Sequence, residues 1–331
     1  MISLPKHLSL AQRNTPLQLL TRLSAELGGP RIWVKRDDMT GCGLSGNKVR
    51  KLEFTLAKAL DEGYDTLITS GGVQSNHCRA TALLGAQLGL KVRLILRGEP
   101  EALDGNLLLD HLAGAEISHY APKEYFARLP ELFAEWEEHY RKQGRKALSI
   151  PTGGSDGVGL WGYIGCAQEL AEDFNLAGIT PTAVICATGS GGTQAGLTVG
   201  IADAVDPSLP VIGMAVSDDT AYFQSKVRAD IDDWQQLYGA ADPSWLSSLS
   251  IHTNDDYIGP GYGKATQPVF DLIAKVARTE GLLLDPVYTG KAFYGLIQQI
   301  KKGQYKAGED VVFIHTGGIF GLFAQRQNLN L

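Results

Sequence analysis

Residues 65–96, DTLITSGGVQSNHCRATALLGAQLGLKVRLIL, contain the order of elements that decides the fold class. The short segment DTLIT at 65–69 is typical of a buried strand, and a glycine pair at 71–72 ends it. A helical pattern follows at about 75–88, and residues 92–96 form a second short apolar run. A strand, a helix and another strand in this order predict a βαβ unit whose strands are parallel.

The same alternation recurs along the chain and extends the prediction to a whole α/β fold. A helix is predicted through the region of Trp136. Further strands are predicted at 115–120, 147–151, 182–187, 211–216, 282–284 and 311–315. Glycine-rich turns follow several of these strands, and ligands bind at the carboxyl ends of strands in such folds. We therefore expect mostly parallel, twisted sheets flanked by helices, with the functional site at those turns.

The composition bounds the class of protein. The 331 residues suit one large α/β unit or two closely packed domains, and 44% apolar with 20% charged residues is ordinary for a soluble chain. A net charge of −6 gives no positive field for nucleic acid, and no apolar run predicts a membrane span or a signal peptide. The four cysteines form no CxxC pair, so we expect neither metal nor disulfides, and free thiols suit the cytoplasm.

The segment TGSGGT at 188–193 is a candidate phosphate site. Glycines and hydroxyl residues after a strand expose successive backbone N–H groups, and the following helix adds the positive end of its dipole. The alternative is a plain strand-to-helix turn. The segment matches neither the Walker pattern nor the dinucleotide-binding pattern.

The segment SGNKVRKLE at 45–53 places Lys48 behind a glycine and ahead of a helical pattern. A lysine held in a cleft can have a lowered pKa, bind a carbonyl covalently and act as a base. Lys51 and Arg50 would make the neighbourhood positive. The alternative is a solvated basic start of a helix.

Two further motifs can face a ligand. In Gln74-Ser75-Asn76-His77, Ser75 or Asn76 can cap a helix whose free N–H groups hold a carboxylate, and simple capping is the alternative. His77 is a possible base, but a structural histidine fits the pattern better. Tyr262 and Tyr288 stand between turn residues, where a tyrosine either reaches a site or packs with its hydroxyl at the surface.

Taken in order, these motifs resemble one family, the D-cysteine desulfhydrase and 1-aminocyclopropane-1-carboxylate (ACC) deaminase family of fold-type II pyridoxal-phosphate (PLP) enzymes, which are tryptophan synthase β-like. The similarity runs over nearly the whole chain. It is carried by Asn14–Leu17, Trp33–Asp38, Gly46–Lys48, Gln74–His77, Thr188–Thr193, Gly259–Gly263, Asp285–Tyr288 and His315–Gly318. The resemblance implies an α/β enzyme of two domains, a larger PLP-binding one (1–50 with 163–331) and a smaller one (51–162), with the active site between them.

The resemblance also implies the roles of individual residues, with Lys48 as the covalent anchor of PLP. The implied cofactor-binding residues are Lys48, Lys51, Asn76, Thr188, Gly189, Ser190, Gly191, Gly192, Thr193, Thr289 and Thr316. The implied substrate-binding residues are Asn47, Gln74, Ser75, Asn76, His77, Tyr262 and Tyr288. The implied catalytic residues are Lys48, Ser75, Tyr262 and Tyr288. The family usually forms homodimers.

Two positions favour one branch of the family. The deaminase branch has a glutamate after the DPVY motif and a leucine in the HxGG motif, where this chain has Thr289 and Thr316. A hydroxyl cannot keep the pyridine nitrogen protonated as a carboxylate does, which suits the loss of a good leaving group better than the opening of a ring. We therefore predict a PLP-dependent lyase that acts on D-cysteine. The alternatives are an L-cysteate sulfo-lyase, an ACC deaminase and a non-catalytic PLP-binding protein.

Overall fold

The computed structural model describes residues 1–99 and 102–331. The strands in this part of the chain are β1 (Leu17–Leu19), β2 (Arg31–Lys35), β3 (Thr66–Gly72), β4 (Lys91–Arg97), β5 (Glu116–Tyr120), β6 (Ala147–Ile150), β7 (Ala183–Thr188), β8 (Val211–Ala215), β9 (His252–Asn254) and β10 (Asp310–Ile314). The α-helices are α1 (Thr21–Leu27), α2 (Asn47–Asp61), α3 (Asn76–Leu88), α4 (Gly105–Leu112), α5 (Pro122–Lys142), α6 (Trp161–Ala177), α7 (Gly192–Ala204), α8 (Thr220–Tyr238), α9 (Pro243–Ser248), α10 (Gln267–Glu280), α11 (Thr289–Lys301) and α12 (Ile319–Phe323).

The larger sheet has the strand order β1-β2-β10-β7-β8-β9. Its strands run parallel except for β1, which pairs antiparallel with β2 at one edge. The central strand β10 is buried on both faces: Val311 and Phe313 pack into one apolar cluster, while Val312 and Ile314 pack into another. Such continuous apolar runs are typical of parallel strands that helices cover on both sides.

The smaller sheet has the order β5-β4-β3-β6 and is parallel throughout. Its central strand β3 pairs with β4 through Leu67 opposite Val92, as the βαβ prediction requires. The helix α3 follows β3 directly, and Ser75 caps it by accepting a hydrogen bond from the Cys78 N–H at 3.2 Å. The first turn of α3 therefore lies at the carboxyl end of this sheet.

The predicted α/β architecture is confirmed, and seven of the predicted strands lie where the pattern put them, with ends shifted by up to three residues. The prediction of a strand at 282–284 is wrong. Leu282 and Leu284 are buried while Leu283 is exposed, which imitates the alternation of a strand. However, β10 already has β2 and β7 on its two sides, so this segment cannot pair with it, and its Leu283 carbonyl oxygen lies 2.9 Å from His315 Nε2 instead.

Three strands were missed, namely β1, β2 and β9, of which β1 and β9 have three residues each. All strands of the smaller sheet lie between residues 66 and 150, whereas α2 crosses position 50. The two predicted domains and their boundaries stay a prediction. Among the described helices, none is both long enough and apolar enough to cross a bilayer.

Candidate active site

A cavity that is partly open to solvent lies at the carboxyl ends of β7 and β10 and against the start of α3. Its lining residues are Asn47, Lys48, Asn76, Ala187, Thr188, Gly189, Ser190, Gly191, Thr193, Gln194, Tyr288, Thr316 and Gly317. Ten of these are residues that the sequence predicted for the site. The predicted residues outside this lining are Lys51, Gln74, Ser75, His77, Gly192, Tyr262 and Thr289.

Lys48 stands in the first turn of α2 with its side chain buried. Gly46 precedes it at φ +110°, where a Cβ atom would lie 2.5 Å from the Thr316 carbonyl oxygen, so only glycine allows this approach. The Lys48 Nζ donates to the Gly153 carbonyl oxygen at 3.3 Å. Burial lowers the pKa of Lys48 to about 8, although nearby Cys78 opposes the shift. The side chain is therefore a poorly solvated amine directed at the cavity.

Arg50 fixes the helix that carries this lysine. Its guanidinium donates to both carboxylate oxygens of Asp37 at 2.8 Å and to Glu169 at 2.7 Å. Burial disfavours the charged form of Asp37, but Arg50 outweighs it and holds the pKa of that carboxyl below its usual value. A buried pair of this kind holds the start of α2 in one position.

A glycine-rich loop connects β7 to α7 and forms one wall of the cavity. Ser155 Oγ accepts from the Gly192 N–H at 3.2 Å and lies 2.8 Å from Ser190 Oγ. Lys51 Nζ donates to Ser155 Oγ at 3.1 Å and to the Gly153 carbonyl oxygen at 3.3 Å. Burial, with the cation of Lys48 second, holds the pKa of Lys51 well below its usual value. Amines and backbone N–H groups thus converge where a helix begins, which suits an anion.

The sequence indicated only that the loop at 153–161 lines the substrate side, and it did not assign Gly153 and Ser155 to the cofactor side of the site. Both lie in a turn that follows β6, and the segment PTGGS at 151–155 has the same glycine and hydroxyl composition as the loop at 188–193. Both residues could have been identified from the expectation that glycine-rich turns after parallel strands lie at the same edge of the sheets. The same expectation would not have found Gln194, which accepts from the Thr188 hydroxyl at 2.8 Å inside α7.

Tyr262 and Tyr288 meet at the other side of the cavity, with their hydroxyl oxygens 2.6 Å apart. Tyr288 lines the cavity and Tyr262 lies behind it. Burial raises the pKa of both hydroxyls, that of Tyr288 well above its usual value. Both tyrosines are therefore neutral near pH 7 and can donate a proton.

A buried carboxylate sets the turn that carries Tyr288. Asp285 accepts from the backbone N–H groups of Val287, Tyr288 and Thr289 at 2.8 to 2.9 Å. The Thr289 hydroxyl donates to Asp285 at 2.8 Å and accepts from the Asp285 N–H at the same distance. The Thr289 hydroxyl is thus engaged inside its own turn, whereas Thr316 lines the cavity.

The polar side chains at 74–77 also differ in whether they line the cavity or are engaged elsewhere. Asn76 lines the cavity, while Gln74 Oε1 accepts from the Asn106 N–H at 2.9 Å at the start of α4. His77 Nε2 lies 2.8 Å from the Thr69 hydroxyl, and burial holds its pKa well below its usual value. His77 is therefore a neutral, buried histidine at neutral pH. Within the described residues no cluster of metal ligands occurs.

Comparisons with known proteins agree with this geometry. The family model described as pyridoxal-phosphate dependent enzyme matches residues 8–317. A Thermotoga maritima protein with the provisional name 1-aminocyclopropane-1-carboxylate deaminase is 43% identical over 323 residues, which covers 97% of this chain and 99% of that protein. The D-cysteine desulfhydrase of Salmonella newport is 41% identical, with coverages of 96% and 95%. The crystal structure of a protein described as an ACC deaminase homologue superimposes with a TM-score of 0.88 at 39% identity, with coverages of 97% and 94%.

The chain belongs to the family of PLP-dependent enzymes, with the fold of the fold-type II group. The predictions of PLP as cofactor and of a PLP-dependent lyase are confirmed at this level. The residues present fit the cofactor, because a Cβ atom at Gly192 would lie 2.8 Å from both Lys51 Nζ and Ser155 Oγ. Only a bare backbone lets the amine of Lys51 and the hydroxyl of Ser155 approach this loop, and these are groups that would hold a phosphate. Lys48 would provide the buried amine that the aldehyde of PLP requires.

Proposed function

We propose that this lyase removes the β substituent of a small amino acid, with D-cysteine as its substrate and pyruvate, ammonia and sulfide as products. The lining of the cavity carries this proposal. It contains the amine of Lys48, the hydroxyls of Tyr288 and Thr316, and no carboxylate among the described residues. PLP, once bound, withdraws electrons from the α carbon of the amino acid.

The chain's own residues then decide which bond breaks. A hydroxyl such as that of Thr316 cannot hold a ring nitrogen in its protonated form as a carboxylate can. Without a positive charge on the ring nitrogen, a substrate with a good leaving group at the β carbon is favoured over ACC, in which a carbon–carbon bond of the ring must break. A thiol is such a leaving group.

Lys48 is suited to remove the α proton. With a pKa of about 8, a useful fraction of its amine is unprotonated near neutral pH, whereas an ordinary lysine is almost fully charged. The neutral hydroxyl of Tyr288 is placed to donate a proton toward the departing group. Water supplies the oxygen of pyruvate when ammonia is released.

Deamination of ACC is the second candidate, because the Thermotoga maritima relative and the superimposed crystal structure are both described in terms of that activity. The purified, PLP-loaded protein should be incubated with D-cysteine, L-cysteine, L-cysteate, ACC, D-serine and β-chloro-D-alanine. We expect pyruvate and sulfide from D-cysteine at a kcat/KM at least tenfold above that for any other natural substrate. Ammonia release from ACC without turnover of D-cysteine would overturn the proposal.

A pair of substitutions tests the reasoning about the ring nitrogen. The variant with Thr289→Glu and Thr316→Leu carries the residues of the deaminase branch at both positions. We expect it to lose most activity on D-cysteine and to gain activity on ACC. Unchanged substrate preference in a folded double variant would contradict the inference that the lack of a carboxylate near the ring nitrogen sets the substrate.

We also propose that the protein acts as a cytoplasmic homodimer, with its active site in the cleft between the domains 51–162 and 1–50 with 163–331. The four cysteines form no disulfide, three of them being buried, which suits a reducing compartment. Light scattering at micromolar concentration should give twice the mass of one chain, and a monomer would contradict this part of the proposal.

A further inference from the structure

Arg97 ends β4 beside the predicted substrate side of the cavity. Its guanidinium carbon lies over three aromatic rings, 4.8 Å from the centroid of Phe126, 4.9 Å from that of Tyr262 and 5.7 Å from that of Tyr125. Aromatic faces hold a guanidinium in place by attraction to its charge. They leave its N–H groups available, because a ring face accepts no directional hydrogen bond of the strength that an oxygen does.

The position of this guanidinium relative to the cavity follows from two contacts. Its Nη2 atom lies 3.8 Å from where a Cβ atom on Gly72 would stand, and the Gly72 carbonyl oxygen accepts from the Ser75 N–H at 2.9 Å. On its other side, Tyr262 reaches Tyr288, which lines the cavity. Arg97 therefore packs on Tyr262, which connects it to cavity-lining Tyr288, and its Nη2 atom lies close to the turn before α3.

Arg97 also differs in charge pairing from the other cations of its strand. Lys91 and Arg93 both pair with Glu116, at 2.6 and 2.5 Å. Within the described residues Arg97 has no carboxylate at ion-pair distance and only aromatic partners. Its charge reaches the tyrosine pair, since it opposes the rise in the pKa of both hydroxyls that burial causes. A cation that rings hold in place, without a carboxylate at ion-pair distance among the described residues, is available to an anion.

We propose that Arg97 determines specificity by binding the negatively charged group on the β carbon of the substrate, either a thiolate or a sulfonate. This inference rests on the proposed function, because it assigns the substrate class of the same site. It also explains how a chain with a net charge of −6 attracts an anionic side chain. A bidentate guanidinium suits either group, and the fit of each must be measured separately.

Binding without turnover tests the inference. The PLP-loaded protein is titrated calorimetrically with both enantiomers of cysteate and both enantiomers of alanine, which has no charge and no leaving group at its β carbon. We expect Arg97→Met to weaken the binding of cysteate at least tenfold while alanine changes less than twofold. Arg97→Lys should recover part of the loss. Lys91→Met, on the same strand and with the same loss of charge, should leave both ligands unaffected.

Whether Arg97 binds a thiolate is tested by kinetics with D-cysteine and with β-chloro-D-alanine, whose β substituent is uncharged. We expect Arg97→Met to raise the KM for D-cysteine at least fivefold more than that for β-chloro-D-alanine. Weaker binding of cysteate with an unchanged KM for D-cysteine would show that Arg97 binds sulfonates. A raised KM for D-cysteine with unchanged binding of cysteate would show that it binds thiolates.

If Arg97→Met weakens the binding of charged and uncharged ligands equally, the inference is overturned, since Arg97 would then serve only to pack against the neighbouring rings. Thermal unfolding checks that the variants fold, and Arg97→Gln replaces Arg97→Met if the latter is unstable. A wild type that binds cysteate through Arg97 but does not eliminate from D-cysteine refutes the proposed function alone.

Discussion

The hydroxyl oxygens of Tyr262 and Tyr288 lie 2.6 Å apart, and only Tyr288 lines the cavity. One proton lies between the two oxygens, so the tyrosine that accepts it keeps its own proton for another partner. When Tyr262 is the donor, the proton of Tyr288 is free to point into the cavity. The pair thus has the geometry of a proton donor that a second hydroxyl orients.

We predict that Tyr288→Phe lowers kcat for D-cysteine by about 10²- to 10⁴-fold, the range of a lost general acid or base. Tyr262→Phe should cost less, because it removes the orienting hydroxyl only. The double variant should resemble Tyr288→Phe, since residues that act as a unit are not additive. Steady-state kinetics measures all three, and losses that multiply would show that the two hydroxyls act independently.

Lys48 gives a prediction about stability and pH. Burial sets its folded-state pKa to about 8, against an ordinary value of 10.5. The unfolded chain therefore binds more protons between about pH 8 and 10.5, so this lysine makes the apoprotein more stable as the pH rises through that window. At pH 7 the buried charge is a net cost, and Lys48→Met should stabilise the apoprotein by roughly 1–3 kcal/mol.

Urea unfolding of the two apoproteins at several pH values measures this difference. The advantage of Lys48→Met should shrink between pH 8 and 10.5, whereas Lys58→Met, on the surface of the same helix, should show no such trend. A difference that stays constant with pH would contradict the lowered pKa. With PLP added, Lys48→Met should lack the absorbance band of the covalently held cofactor.

Lys291 positions Tyr262 without touching the cavity. Its buried Nζ donates to the carbonyl oxygens of Gly261 at 2.7 Å and Val216 at 3.2 Å. Lys291→Met leaves both carbonyls without this donor, at about 1–3 kcal/mol each, and releases the loop before Tyr262. The loss of two hydrogen bonds outweighs the relief from a buried charge whose burial lowers the pKa of Lys291 to about 8. We expect a lower thermal midpoint and a lower kcat, while exposed Lys301→Met on the same helix should change stability by less than about 0.5 kcal/mol. Full activity in a destabilised Lys291→Met variant would show that Lys291 does not position Tyr262 for catalysis.

Thr289 and Thr316 should respond differently to the loss of a hydroxyl. Thr289→Val removes two hydrogen bonds with buried Asp285 and should destabilise the protein by roughly 1–3 kcal/mol. Thr316→Val should change stability little and alter the affinity for PLP or kcat, because Thr316 lines the cavity. Thermal unfolding and a PLP titration of both variants decide this. The reverse pattern would place Thr289, and not Thr316, at the cofactor.

Short apolar runs and glycine-rich stops were enough to predict the α/β class, because both are local properties of the backbone. The same rule failed at residues 282–284, where the alternation was right but β10 already pairs with β2 and β7 on its two sides. It also missed β1 and β9, whose three residues are too few for a periodic pattern. Edge strands depend on their neighbours more than on their own composition.

By itself, the sequence determined the βαβ architecture and the set of motifs that meet in a PLP-binding family, since these follow from local patterns and their order. Only the tertiary structure decided which residues of those motifs line the cavity and which are engaged elsewhere. It brought Lys48, Asn76, Tyr288 and Thr316 to one cavity and engaged Thr289 with Asp285. It also brought Ser155 to the glycine-rich loop at 188–193 and Arg97 to Tyr262. The physical reason is that burial and hydrogen bonding between distant segments set the orientation of a side chain and its pKa.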